Sequence, residues 1–409
     1  MGWLEVLGDH WRKVVQILVR PNRKLVYLAL FFSAFLIFWV SGEGHPTNYD
    51  YYVRLSDAFL HGRLYLLEQP SWLNELIPYD GRYYVICPPL PAVLMIPLVA
   101  LVGTGLNQTL VSIFIGSLSV VLACVVARDV LGNDQNDAVP IWAAVLFGFG
   151  TIFWYLTSVG SAWYLAHVIS VLFLFLAIHE ALTKRRPLMT GLLVGASYWC
   201  RLPTILTLPF FAAMIGFAYR RERSKILVPI LKLAAGASVF VGLNMLYNYV
   251  RFGTPFDVGY WLIPGVVDEP WFNQGLFNLS YIPCNVRTIF AALPVFKSEP
   301  PYVLPPWTGM AIWVTTPAFI YALRSKRTEA VTWASWLAIL AVASVLFTRG
   351  CAGWGFGYRY AMDFYPFLFI LTVKGMGEQL RWHHRALILL SVLVNLWGVI
   401  WVNKFGWWA

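Results

Sequence analysis

The sequence has few charged side chains, and it lacks the long polar stretches that a water-soluble chain of this length needs. Of its 409 residues, 12% are Asp, Glu, Lys or Arg, whereas 59% are hydrophobic. A soluble domain carries about 25% charged residues, so the composition excludes a soluble globular protein. Several uncharged runs reach the roughly 20 residues that cross a bilayer as a helix. We therefore expect an all-α polytopic membrane protein with a single membrane domain over residues 1–409.

Cysteine is also scarce, which limits disulfides and metal sites. The sequence has five, at Cys87, Cys124, Cys200, Cys284 and Cys351. An odd number excludes a fully paired disulfide framework, and the spacings match no metal-binding motif. We interpret them as small apolar residues. The sequence leaves open whether Cys87, Cys284 or Cys351 form a disulfide.

Acidic residues are fewer than basic ones, 20 against 30, which gives a net charge of +10. The basic residues form short clusters between apolar runs, a distribution typical of cytoplasmic loops and not of a nucleic-acid surface. We therefore predict no nucleic-acid partner. The basic segment 1–24 is predicted to be cytoplasmic, and the first apolar run is predicted to be an uncleaved signal anchor.

Alternation of the basic clusters predicts about eleven transmembrane helices. They are 25–41, 106–127, 138–156, 163–182, 188–200, 204–219, 226–249, 307–323, 330–347, 360–374 and 386–402. Three outer segments follow, at 42–105, 251–306 and 349–359. The apolar stretch 88–103 is about 16 residues long and contains four prolines, so we predict a re-entrant or juxtamembrane helix there.

The first outer segment, 42–105, begins with a candidate for acid-base chemistry. A predicted helix over 49–61 places Asp50, Arg54 and Asp57 on one face. Partial desolvation at the membrane edge would make Asp50 a proton acceptor. The alternative is a charge that only stabilises the helix N-terminus. The segment 79–82 is predicted to be a turn between short extended pieces.

Four short motifs follow one another in this segment: Asp50-Tyr51-Tyr52, Leu60-His61-Gly62-Arg63-Leu64-Tyr65, Tyr83-Tyr84 and Pro88-Pro89-Leu90. Together they resemble the first periplasmic loop of the GT-C glycosyltransferases, the superfamily of protein mannosyltransferases and aminoarabinose transferases. Segments 248–255 and 353–360 are similar to uncharacterised bacterial members. Two positions depart from the pattern: Tyr51 follows Asp50 where a second acid often stands, and Cys87 replaces a lysine.

The resemblance implies a GT-C-like bundle with juxtamembrane helices on its outer face. It also implies a polyprenyl-phosphate-linked sugar as donor, attacked by an acceptor hydroxyl with inversion, and Asp50 as the general base. A divalent cation is an open possibility, with Glu43, Asp50 and Asp57 as candidate ligands. The implied location is the bacterial inner membrane, with the amino terminus cytoplasmic and the site periplasmic or extracellular. Because no soluble module is evident, we expect a lipid or glycan acceptor rather than a protein, alongside membrane lipids.

A leaving phosphate requires cations in a dry site. The candidates on the predicted outer side are Arg201, Arg251, Arg287 and Arg359, with His167 as a further phosphate or sugar contact. Candidate acceptor or sugar contacts are Tyr51, Arg54, Asp57 and Tyr360. Each has a purely structural alternative: Arg201 reaching the interface, Arg251 pairing with Asp257, Arg359 pairing with Asp363, and His167 packing helices.

Two other functions stay open on the sequence alone. A transporter or flippase of a lipid-linked saccharide would also need a lateral groove and buried arginines. A catalytically inactive scaffold would retain the same topology. Product formation from donor and acceptor supplied together would separate these from an enzyme.

Overall fold

The structure is a computed structural model that describes residues 23–132, 137–351, 353 and 355–407. Of the predicted cytoplasmic segment 1–24, residues 1–22 lie outside the described part. The described chain is mostly helical. Its α-helices are α1 (Arg23–Ser41), α2 (Tyr51–Leu60), α3 (Leu90–Val102), α4 (Gln108–Leu131), α5 (Ala138–Phe149), α6 (Phe153–Val159), α7 (Ala162–Leu182), α8 (Pro187–Tyr198), α9 (Leu208–Ala218), α10 (Leu227–Phe252), α11 (Gly259–Leu262), α12 (Ile282–Ala291), α13 (Ile312–Thr315), α14 (Ala330–Leu346), α15 (Tyr365–Met376) and α16 (Trp382–Val399). The strands are β1 (Leu76–Tyr79), β2 (Arg82–Val85), β3 (Val295–Phe296) and β4 (Val303–Leu304).

Five helical segments of the described chain are long and apolar enough to cross a bilayer. They are Arg23–Ser41, Gln108–Leu131, Ala162–Leu182, Arg223–Phe252 and Trp382–Lys404. A sixth candidate is the pair α5 and α6, whose axes differ by 56°. The prediction of a helical membrane protein is confirmed at this level, while the count of eleven spans stays a prediction.

Several predicted spans are interrupted where proline or a polar side chain ends the helix. In the predicted span 138–156, the Thr151 hydroxyl accepts a hydrogen bond from the Phe153 amide at 3.1 Å. A new helix, α6, begins at Phe153. The predicted span 307–323 is not one helix: the four-residue α13 is followed by a 3-10 helix at Pro317–Arg324. Pro317 has no amide hydrogen to continue α13, which accounts for the break.

The segment 42–105, which is predicted to lie on the outer side, contains the short elements that its sequence predicts. The helix predicted over 49–61 is α2, and the proline-rich stretch forms α3, whose 13 residues span about 20 Å at 1.5 Å each. Strands β1 and β2 pair antiparallel around a turn at Asp80 and Gly81, both of which have positive φ. The predicted turn at 79–82 is therefore confirmed. The two small hairpins are a departure from a purely α-helical chain.

The structure answers the question that the sequence leaves open about a disulfide, and the interpretation as ordinary small apolar residues does not hold for two of the five cysteines. Cys284 of α12 and Cys351 form a disulfide, with Cα atoms 6.0 Å apart. The pair is separated by 67 residues, so chain spacing alone does not predict it. Cys87, Cys124 and Cys200 are free and buried, as that interpretation expects.

The core of the bundle forms around α4, which packs against α1, α5 and α7. A second close contact joins α8 to α10, where Gly191 and Gly236 face one another's helices. A Cβ atom at Gly191 would collide with the carbonyl of Leu233. Small residues let helix backbones approach in this way inside a membrane.

Candidate active site

One cavity of the described residues lies between the predicted outer segments and the start of α7. We call it the aromatic cavity, and its volume is about 580 Å³. Its aromatic lining is Trp163, Tyr164, Tyr260, Trp271, Phe272, Trp307 and Tyr360. Its charged lining is Glu75, Glu269, Arg349 and Arg359. Flat rings with a few charged groups are suited to bind a sugar that bears a phosphate.

Glu75 is held in the aromatic cavity by two other parts of the chain. The indole Nε1 of Trp163, in the first turn of α7, donates to its Oε2 at 2.7 Å. The Tyr51 hydroxyl of α2 accepts the Glu75 amide at 3.1 Å and donates to Asn74 Oδ1 at 3.3 Å. The position of this carboxylate is thus set by α2 and α7 together.

The environment makes Glu75 a stronger base than an ordinary glutamate. Burial raises the pKa of its carboxyl, and this effect outweighs the Trp163 hydrogen bond and the Arg359 and Arg349 charges, which lower the pKa. A carboxylate of raised pKa is better matched to accept a proton near neutral pH. A second carboxylate, Glu269, accepts a hydrogen bond from Trp271 Nε1 at 2.6 Å.

Three guanidinium groups surround the ring of buried Tyr360. The Cζ atoms of Arg349, Arg359 and Arg201 lie 4.7, 5.1 and 5.7 Å from the ring centroid. Neither Arg349 nor Arg359 forms a salt bridge with a carboxylate of the described residues. The Arg359 Nε atom is buried and has no hydrogen-bond partner. These two cations are therefore available to an anionic ligand.

The third cation, Arg201, is compensated by Asp363. Its Nε and Nη2 atoms donate to the two Asp363 carboxylate oxygens at 3.1 and 2.9 Å. His167 Nδ1 lies 3.1 Å from Asp363 Oδ1, and the side chains of both are buried. The structure thus brings Arg201 and His167 together through Asp363. The alternative local pair of Arg359 with Asp363 is not formed.

A second cavity of about 250 Å³ adjoins the first, and we call it the apolar cavity. It shares Trp163, Tyr260 and Arg349 with the aromatic cavity. Arg201 and Asp257 also line it, and most of the other lining residues are apolar. Arg201 and Arg349 thus reach a space suited to a hydrocarbon chain, next to one suited to a sugar.

The acids that the sequence singled out in the predicted outer segment 42–105, Asp50 and Asp57, lie outside the aromatic and apolar cavities. Asp50 precedes α2 and pairs with Arg54, whose Nε is 2.8 Å from its carboxylate. It lines none of the cavities described here. Arg54 and Asp57 line a separate cavity of about 210 Å³. The role of Asp50 as the general base stays a prediction. The binding of the acceptor by Arg54 and Asp57 also stays a prediction.

The candidate metal ligands do not form one cluster. Glu43 lies 3.6 Å from His45, Asp50 pairs with Arg54, and Asp57 lies 3.7 Å from His61. Within the residues that the structure describes, no group of three or more His, Cys, Asp or Glu side chains could hold a metal ion. The divalent cation stays a prediction.

Two predicted phosphate contacts lie outside both cavities. Arg251, at the end of α10, donates to the carbonyl of Val85 at 3.0 Å and to Asn248 Oδ1 at 2.7 Å. It therefore ties α10 to β2, and it does not pair with Asp257 as the structural alternative supposed. Arg287 is exposed on α12. No observation here tests either as a phosphate ligand.

Sequence reasoning did not single out Glu75, Glu269 or Arg349. Glu75 stands in a loop with other acids such as Glu68, and no spacing distinguishes the two. The available signal was the aromatic content of 17%, because aromatic rings can line a polar cavity as well as the membrane interface. Comparison of the sequence with protein-family models and with curated proteins finds no match.

Proposed function

We propose that this protein is a polyprenyl-phosphate-sugar-dependent glycosyltransferase of the GT-C type, with about eleven spans and its site on the non-cytoplasmic side. The observation that carries the proposal is one cavity that combines a carboxylate of raised pKa, a lining of aromatic rings and two guanidiniums that form no salt bridge within the described residues. The carboxylate is that of Glu75, and the guanidiniums are those of Arg349 and Arg359. A proton acceptor, a sugar platform and a phosphate site are the three parts that such a transfer needs.

In the proposed reaction, an acceptor hydroxyl attacks the anomeric carbon of the donor sugar. The new carbon–oxygen bond forms as the bond to the lipid phosphate breaks, which inverts the configuration. The hydroxyl proton passes to a carboxylate, and the polyprenyl phosphate leaves with the bonding electron pair. We expect a lipid or glycan acceptor; the aromatic lining of the cavity would support a glycan acceptor by stacking against its sugar rings.

Glu75 is better supported as the base than Asp50. Glu75 lines the aromatic cavity and has a raised pKa because of burial, whereas Asp50 is neutralised by Arg54 outside it. A general base must face the space in which the substrate binds, and of these two acids it is Glu75 that lines the cavity. The sequence motif still favours Asp50, so the two acids are the competing candidates.

Arg349 is the best supported ligand of the leaving phosphate. It lines both cavities, so a phosphate beside it would have the sugar on one side and the lipid chain on the other. Arg359 would bind the same group from the aromatic cavity and Arg201 from the apolar one. Charge-assisted hydrogen bonds from a planar guanidinium match phosphate oxygens. His167 would act indirectly, through Asp363 and Arg201.

The test is release of polyprenyl phosphate by the purified protein, given a panel of polyprenyl-phosphate sugars and a lipid acceptor fraction. Replacing Glu75 by Gln should lower kcat by about 10²–10⁴-fold, the usual contribution of a general base. Asp80→Asn is the control, because Asp80 is exposed in the nearby β1–β2 turn and lines none of the cavities described here. Asp50→Asn should leave more activity than Glu75→Gln.

The opposite ranking, with Asp50→Asn inactive and Glu75→Gln active, would move the base to Asp50. Full activity in both variants would remove the general-base mechanism altogether.

A second candidate function is a flippase of a lipid-linked saccharide. It is favoured by the interrupted helices, namely the 56° bend between α5 and α6 and the 3-10 segment Leu202–Thr207 between α8 and α9. A flippase changes only the leaflet of the lipid. Covalent product formed in detergent, where no leaflets exist, would therefore exclude this candidate.

A further inference from the structure

Another cavity lies at the opposite end of α7 from the proposed active site. We call it the basic cavity; its volume is about 480 Å³. Leu182, near the end of α7, lines it, while Trp163 at the start of α7 lines the aromatic cavity. At 1.5 Å per residue, these two positions are roughly 28 Å apart along the helix. The basic cavity is therefore a separate site, near the opposite face of the bundle.

The charged groups of the basic cavity are both cationic. Arg185, in the loop between α7 and α8, and Arg220, just after α9, line it, and no carboxylate does. Neither arginine forms a salt bridge within the described residues, because the nearby acids have other partners. The Glu180 carboxylate accepts hydrogen bonds from Nε and Nη2 of Arg186, at 2.7 and 2.8 Å. Glu222 pairs with Lys225.

The remaining lining is mostly apolar. Leu182, Phe211, Met214 and Ile215 form a hydrocarbon wall that continues from the arginines between α7 and α9. A small soluble anion would satisfy the cations but would leave this wall in contact with water. A molecule with an anionic head and an apolar tail satisfies both.

We propose that the basic cavity binds an anionic phospholipid, with its phosphate between Arg185 and Arg220 and an acyl chain along the wall of α9. The predicted orientation puts this cavity at the cytoplasmic leaflet, where basic pockets between helices bind anionic head groups. The site is independent of the proposed transferase activity. Binding would secure the loops that join α7 to α8 and α9 to α10.

The test uses the purified full chain in nonionic detergent with fluorescently labelled phosphatidylglycerol as probe. The variant Arg185→Gln/Arg220→Gln should weaken binding by about tenfold or more, since each lost charge-assisted hydrogen bond is worth that order of affinity. The matched control is Arg221→Gln/Arg223→Gln, which removes the same charge from a neighbouring stretch that does not line the cavity. It should retain near-normal affinity, as should Arg185→Lys/Arg220→Lys.

Equal weakening by both Gln pairs would overturn the proposal, because it would mean diffuse attraction without a site. Inorganic phosphate should not displace the probe; displacement as effective as that by unlabelled phosphatidylglycerol would overturn the lipid assignment in favour of a soluble phosphate ligand. If the Gln pair fails to fold, Met214→Trp provides the second measurement. The larger indole would occupy the space along the apolar wall where the acyl chain is proposed to lie, and both arginines would be kept. Unchanged probe binding in that variant would therefore also overturn the proposal.

Discussion

The buried pair of Arg201 and Asp363 provides a direct test of the site's architecture. We expect Asp363→Asn to destabilise the protein strongly, because it leaves the guanidinium with no opposing charge. The Asp363 side chain is 0% exposed and that of Arg201 is 17% exposed. Removing one partner of a buried pair costs about 3–5 kcal/mol, and the partial exposure of Arg201 favours the lower end, about 3 kcal/mol. That corresponds to roughly a hundredfold change in the folding equilibrium.

The measurement is reversible unfolding in mixed micelles, followed by tryptophan fluorescence. Asp80→Asn is the control: Asp80 is exposed in the β1–β2 turn at a positive φ that asparagine tolerates, so its effect should stay within about 0.5 kcal/mol. A double-mutant cycle with Arg201→Gln isolates the pair. The double variant should lose less than the sum of the two single losses, because it leaves neither charge unpaired.

Equal stability of Asp363→Asn and Asp80→Asn would refute the reasoning. So would simple additivity in the cycle, because the two side chains would then contribute independently.

Two further outcomes follow from the site and the disulfide. Because burial raises the pKa of Glu75 and the carboxylate must be unprotonated to accept a proton, kcat/KM should fall as the pH drops through a value above the ordinary range for glutamate. Trp163→Phe removes a hydrogen bond that lowers this pKa, so the acid limb should move to higher pH; a limb that stays in place would argue against Glu75. Replacing Cys284 and Cys351 by Ser should lower the free energy of unfolding by at most about 4 kcal/mol, the chain-entropy value for a 67-residue loop. A reducing agent should destabilise the wild type and leave this double variant unchanged; equal effects on both would contradict the assignment.

The site was only partly predictable from the sequence. Of the residues that the sequence favoured, Arg201, His167, Arg359 and Tyr360 lie at or beside the paired cavities. The favoured residues Asp50, Arg54, Asp57, Arg251 and Arg287 lie outside both. The motif analysis relied on local order along the chain. It therefore could not distinguish an acid facing the cavity from one paired with a neighbour on its own helix.

What the sequence determined by itself is the class of the protein and its local elements. Membrane insertion depends on the summed hydrophobicity of each segment, so the long apolar helices follow from composition. The helix α2 and the turn between β1 and β2 depend on residues within a few positions of one another. Such features need no knowledge of the rest of the fold.

Only the tertiary structure decided which side chains meet. Trp163 donates to Glu75 across 88 positions of the chain, and Arg201 pairs with Asp363 across 162. No periodicity or motif records these contacts, because they arise when separate helices pack and bring their loops to one end of the bundle. The same packing created the disulfide and the aromatic cavity, whose chemistry belongs to none of the contributing segments alone.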